Sequence, residues 1–143
     1  MLVRLMPEQT AKFWEQIKYA IENSMPPIVR GTMNMNKVLY SLESGRMVAW
    51  ASVDNGKIVA IVTTTIMEDT CTDMKNLLIY SVYGIADQIG KKNWTDGYET
   101  LMKYAKAQGC MQMVAFSRVE AIKRIAKHFG ADVDNTLIAI QVI

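Results

Sequence analysis

Apolar residues recur along this chain in two rhythms, and the switches between them mark the elements. Residues 2–5 form a short, apolar-rich run that predicts a first strand ending near Pro7. From Pro7 onward Ala11, Trp14, Ile17 and Ile21 recur at helical steps, with Phe13 and Ala20 widening the stripe. Such spacing lays them on one face of a helix. Pro7 suits its first turn, and Pro26-Pro27 forbids continuation. Asn36 then predicts the cap of a short helix bearing Val38, Leu39 and Leu42, closed by Gly45. At Met47 the period falls to two: Met47, Ala49, Ala51 and Val53 alternate with Val48, Trp50 and Ser52, the pattern of a strand. Asp54-Asn55-Gly56 predicts a tight hairpin turn, because Asn and Gly tolerate positive φ. The Ile-, Val- and Thr-rich run 57–67 is the returning strand, 68–76 a polar loop, and 77–83 a third strand of the same sheet.

The rhythm then alternates. A helix over about 94–108 carries Trp94, Tyr98, Leu101, Met102 and Ala105 on one face, with Asn93 and Asp96 as a capping pair and Gly109 as the stop. Residues 111–116 form the next strand. Ser117 and Glu120 have capping-box spacing at the start of a helix that buries Ala121, Ile122, Ile125 and Phe129 and ends at Gly130. The apolar run 137–142 closes the chain as a strand. The resulting order, β-α-α-β-β-β-α-β-α-β, predicts an α/β (α+β) fold with a mixed sheet. No linker, repeat or shift in composition divides it, so residues 1–143 are expected to form a single domain.

Composition narrows the function classes. Half of the 143 residues are hydrophobic and 21% are charged, ample for a packed core and unlike a disordered chain. The apolar stretches are too short and too interrupted for a membrane span. The first residues lack the basic and long apolar regions of a signal peptide. Two distant cysteines, Cys71 and Cys110, fit a reducing compartment, so a cytoplasmic protein is expected. The single histidine, His128, excludes a His-rich zinc site, and no metal is expected. A net charge of +2 is no nucleic-acid signal. Lys123, Arg124 and Lys127 read as a solvated helix face. Tyr80 and Tyr83, three apart on one strand, are expected on opposite faces of the sheet.

The element order, the helix ending in Lys127-His128-Phe129-Gly130-Ala131, and Gly90-Lys91 before the longest helix together resemble the GNAT superfamily of acyl-CoA N-acyltransferases. The resemblance covers nearly the whole chain as architecture and implies a cleft where strand 77–84 splays from strand 111–116. Acetyl-CoA would lie there. Its pantetheine arm would bond the backbone of Val82, Tyr83 and Gly84, and its diphosphate would meet Gly90, Lys91, Lys92 and Asn93 at a helix start. Ser117 would face the cofactor from the far strand. An acidic residue on a neighbouring strand, Glu68 or Asp69, is the candidate base for an amine substrate, either a small amine or a protein acceptor.

The family's phosphate loop reads Gln/Arg-x-x-Gly-x-Gly/Ala. Here Ile89 stands at the first position, with Gln88 next to it, Lys92 stands where a glycine is expected, and Trp94 fills the small last position. The tyrosine that many members use to protonate the leaving thiolate is Ala126. These departures keep open a second expectation. The chain would then be a non-catalytic GNAT-fold binding or assembly protein, similar to small phage-encoded GNAT-like proteins, with no cofactor. An edge strand supplied by a second subunit would make it a homo-oligomer.

Overall fold

Alternation along the strands builds two cores, one on each side of a single sheet. The computed structural model describes residues 1–27, 29, 31–85 and 89–142. Strands β1 (Leu2–Arg4), β2 (Met47–Asp54), β3 (Lys57–Glu68), β4 (Lys75–Gly84) and β5 (Gln112–Ala115) lie side by side in chain order. The first four are antiparallel, and β4 with β5 is parallel. At the β2–β3 turn Asn55 and Gly56 both take positive φ, 51° and 74°, as the hairpin signal predicts.

Ala49, Ala51 and Ile61 face one side, where they meet Ile17, Ala20 and Ile21 and Leu42. These residues come from α2 (Trp14–Glu22) and α3 (Met35–Glu43), with α1 (Pro7–Lys12) leading in. Val48, Trp50, Val62 and Leu77 face the other side against Leu101 and Ala105 of α4 (Lys91–Ala107). The Trp50 ring is anchored there: Nε1 donates to Thr64 Oγ1 at 3.0 Å, and Tyr104 packs edge-on at 5.0 Å. The last helix, α5 (Glu120–His128), joins α4 through a parallel stack of Phe129 on Tyr98, 4.3 Å between centroids. No helix among the described residues is long and apolar enough to cross a membrane.

Several local expectations are corrected. The first helix breaks at Phe13, where φ −104° and ψ 18° leave the helical region. The α3 cap is Asn34, whose Oδ1 accepts the Lys37 amide at 3.1 Å, whereas Asn36 lies inside the helix. Helix α4 begins three residues early, with Gly90 in the extended cap position, so Asn93 sits in its first turn. Asp96 caps nothing there; its carboxylate accepts the Leu2 amide at 2.6 Å and ties α4 to β1. The Ser117 hydroxyl accepts the Val119 amide at 3.1 Å, closing a turn just before α5 rather than capping the helix. Residues 137–142 are not a strand. They run unpaired, with Ile138 81% and Ile140 86% exposed.

Candidate functional site

The sheet opens at one place. β4 pairs with β3 along its whole length, from Lys75 opposite Glu68 to Gly84 opposite Ala60. Its pairing with β5 covers only four steps, from Asn76 with Gln112 to Ile79 with Ala115. Residues 80–84 therefore continue β4 with no described strand on the β5 side, an open edge about 16 Å long at 3.3 Å per residue.

The cause is a β-bulge. Thr64 pairs with Ile79 and Thr63 with Ser81, so Tyr80 is an extra residue with no partner on β3. An extra residue bends its strand and increases the local twist, which turns β4 away from β5 where the ladder stops. A buried hydrogen bond between the Thr63 and Ser81 hydroxyls fixes the register beyond the bulge. On the other wall the chain leaves β5 after Ala115 and turns at Ser117 into α5.

The bulge also corrects the reading of the tyrosines. Tyr80 and Tyr83 both pack against the α1–α3 side, because the extra residue shifts the alternation by one. Burial pushes the Tyr80 phenol above its ordinary value. The Tyr83 phenol is raised first by a hydrogen bond with Tyr19 and then by burial, and the two rings meet edge-on at 5.6 Å. Both phenols are therefore neutral near pH 7.

The structure brings Val82, Tyr83 and Gly84 to the open edge, with Ser117 beyond β5. Gly90, Lys91, Lys92 and Asn93 form the start of α4, the end of a helix where backbone N–H groups and the dipole favour an anion. Lys91 and Lys92 are exposed, and with Thr95, Asp96 and Glu99 they line a shallow depression of about 500 Å³. At 3.6 residues per turn Trp94 falls on the opposite side from Lys92. It lies one turn before Tyr98, on the face turned to α5, and is half-buried. Gln88 lies outside the described residues.

The other candidates stay apart. Glu68 pairs with Lys75 at the far end of β4, in an exposed contact of 3.8 Å. Tyr83 is eight residues up the same strand, roughly 26 Å away. The structure therefore does not bring Glu68 to the opening, and the expectation of Glu68 as base is withdrawn. Its neighbour Asp69 is engaged in its own turn, where the Thr72 hydroxyl and the Cys71 amide lower its carboxyl. Ala126 is a half-buried position on α5. His128 is exposed with its ring against Phe129. Cys71 and Cys110 are free thiols. No cluster of three His, Cys, Asp or Glu residues suited to a metal occurs among the described residues.

No family model matches the chain, and no curated protein matches its sequence. Solved structures do match, at low identity and over almost the full length. The ribosomal-protein-alanine N-acetyltransferase of Brucella melitensis biovar Abortus 2308 superposes with a TM-score of 0.71 at 14% identity, covering 99% of each chain. An aminoglycoside acetyltransferase from an uncultured soil metagenomic sample, in complex with sisomicin, gives 0.75 at 10% identity, covering 100% of this chain and 95% of that one. A predicted acetyltransferase of Clostridium acetobutylicum with acetyl-CoA gives 0.69 at 14% identity, covering 98% and 95%. The fold is thus the GNAT-like fold of these acetyltransferases.

Proposed function

We propose that this chain binds acyl-CoA in the opening between β4 and β5 and transfers the acyl group to an amine. One observation carries the reading: the parallel ladder stops at Ile79 and Ala115 while β4 runs on to Gly84. An extended pantetheine arm carries amides and can add to residues 80–84 as a short strand would. The start of α4 and the Lys91 and Lys92 ammonium groups suit its diphosphate. Ser117 stands at the opposite wall. Acetyl-CoA is then a substrate held mainly by backbone, and the acceptor is a small amine or a protein amine. In the transfer, the neutral amine nitrogen attacks the thioester carbon, a C–N bond forms, the C–S bond breaks, and CoA leaves as thiolate. The proton lost by the amine passes to water, and water reprotonates the thiolate.

Two observations favour a second reading, in which the opening binds CoA without turnover. Ala126 has no proton to give, and Glu68 is held far from the opening. Both readings are separated by one pair of measurements. A ligand present at 100 times its dissociation constant stabilises the folded state by about 2.7 kcal/mol, which for a domain of this size is an upward shift of roughly 8–12 °C in Tm. Acetyl-CoA and CoA are expected to give that shift, and Lys91→Ala with Lys92→Ala to reduce it. No shift with either ligand sinks both readings. A shift without release of free CoA in the presence of a panel of amines, followed by mass spectrometry, leaves the binding protein.

A further inference from the structure

The sheet is longer than the helix that covers it on one side. β3 has 12 residues, about 40 Å at 3.3 Å each, whereas α4 has 17, about 25 Å at 1.5 Å each. The overhang falls at the C-terminal end of α4, where a cavity of about 410 Å³ lies between sheet and helix. Val48, Ile66 and Leu77 line it from the sheet, and Tyr104 and Gln108 line it from the end of α4. It lies at the Lys75 end of β4, and Tyr83 in the opening is eight residues along that strand, roughly 26 Å away. The two sites are separate.

A space of this size admits a small organic molecule, and the charges around it decide the sign. Glu68 and Lys75, both on its lining, pair at 3.8 Å and largely cancel. Arg46, also on the lining, has no acidic partner among the described residues. Its backbone is held in place: Gly45 turns the chain at φ 80°, and the Thr65 hydroxyl donates to the Arg46 carbonyl at 2.9 Å. A second cation, Arg4, lies over the Tyr104 ring, 5.4 Å from its centroid. Carbonyls in the last turn of α4, which would favour a cation, are already engaged: those of Tyr104, Ala105 and Lys106 accept the Gln108, Cys110 and Gly109 amides. The cavity therefore combines apolar walls with one uncompensated guanidinium.

We propose that this cavity binds a small organic monocarboxylate, with its apolar body against Val48, Ile66 and the Tyr104 ring and its carboxylate on the Arg46 guanidinium. A planar guanidinium offers paired N–H groups that match the two oxygens of a carboxylate. The Gln108 amide, on the facing wall, can donate a further N–H to the same anion. Charge sets the valence: one free cation suits one negative charge, and the Glu68 carboxylate on the lining repels a dianion such as sulfate. The apolar walls reject an anion that has no body to cover them. The inference does not depend on acyl transfer, because no residue named for it belongs to the opening.

Titration of the isotope-labelled chain with hydrocinnamate, followed by proton–nitrogen correlation spectra, tests it. Saturating shifts are expected for the amides of Arg46, Ile66, Lys75 and Gln108, with a dissociation constant of about 1 mM or tighter, as suits so small a ligand. The neutral isostere hydrocinnamide should bind at least about fivefold more weakly, and sulfate should leave these amides unmoved. Arg46→Gln changes an exposed residue. It should leave far-UV circular dichroism unchanged, weaken the acid to the level of the amide, and not affect the amide itself. Ile66→Trp, which keeps the charge and fills the cavity, should abolish binding of both; if that variant does not fold, Arg46→Gln decides alone. The proposal is overturned if the acid gives no saturating shift by about 10 mM, or if acid and amide bind equally. Unchanged acid affinity in Arg46→Gln, or shifts centred on Lys91–Asn93 instead, overturns it too. The melting shift with acetyl-CoA is independent of every one of these outcomes.

Discussion

If the bulge at Tyr80 opens the sheet, then removing one residue should close it. Deletion of Tyr80 leaves Ile79 opposite Thr64 and Ser81 opposite Thr63, both already paired that way, so the ladder becomes regular without a change of face on either side. The strand loses its local bend and can follow β5 past Ala115. A pantetheine arm then loses its edge. If two or three backbone hydrogen bonds are forfeited at about 0.5–1.5 kcal/mol each, together with the apolar contacts of the cleft, affinity falls by about 2–4 kcal/mol, or roughly 30- to 1,000-fold. The control is Tyr80→Ala, which keeps the residue count. It removes a half-buried ring and should cost about 1–2 kcal/mol of stability while acetyl-CoA binding persists. Urea unfolding gives the stability of each variant, and titration calorimetry with acetyl-CoA gives the affinity. Wild-type affinity in the deletion variant, in a chain that still unfolds cooperatively, would refute the link between bulge and opening. So would equal losses of affinity in the deletion and Tyr80→Ala.

Three further outcomes follow from contacts away from that edge. Thr64→Val strands the buried Trp50 indole N–H, now bonded at 3.0 Å, and is expected to lower the unfolding free energy by about 1–3 kcal/mol in urea; a loss near zero would mean the indole finds another acceptor. Asn34→Ala removes the acceptor of the Lys37 amide and should cost about 1 kcal/mol, measured as a drop in urea midpoint at constant m-value. The Tyr80 phenol is raised in the folded chain from its ordinary value of 10.0. Its contribution is therefore fully present below pH 10 and is lost as pH rises through the folded value. Tyr80→Phe, with no proton to lose, should show a shallower decline of stability as pH rises above 10.0, and identical slopes would discount that phenol.

Much of the fold was legible because its signals are local. Asn55-Gly56 demanded a particular turn, and the period-two run around Trp50 assigned two faces correctly. The cap positions were less legible. Asn34 and Asn36 are chemically identical candidates two residues apart, and only the path of the incoming chain decides between them. The bulge had no sequence signature at all: Tyr80 is an ordinary strand residue, and its extra place is defined by Thr63 and Thr64 on another strand. Glu68 failed for a related reason. Its sequence neighbourhood at the end of a strand was read correctly, but the end of β3 is not the end at which β4 parts from β5. The run 137–142 has the rhythm of a strand, yet a strand also needs a partner, and rhythm does not supply one.

The two walls of the opening are unevenly backed, which has a mechanical consequence for whatever enters between β4 and β5. One jaw is β4, bonded along its length to β3 and backed by residues with almost no exposure, such as Leu77 and Thr63. The other is a four-residue strand and a helix with nothing fully buried. Local opening draws on the segments with the fewest buried contacts, so the compliant jaw swings while the stiff one keeps its place. A long, thin ligand would gain entry by displacing α5 and would find the bonding groups of β4 already fixed.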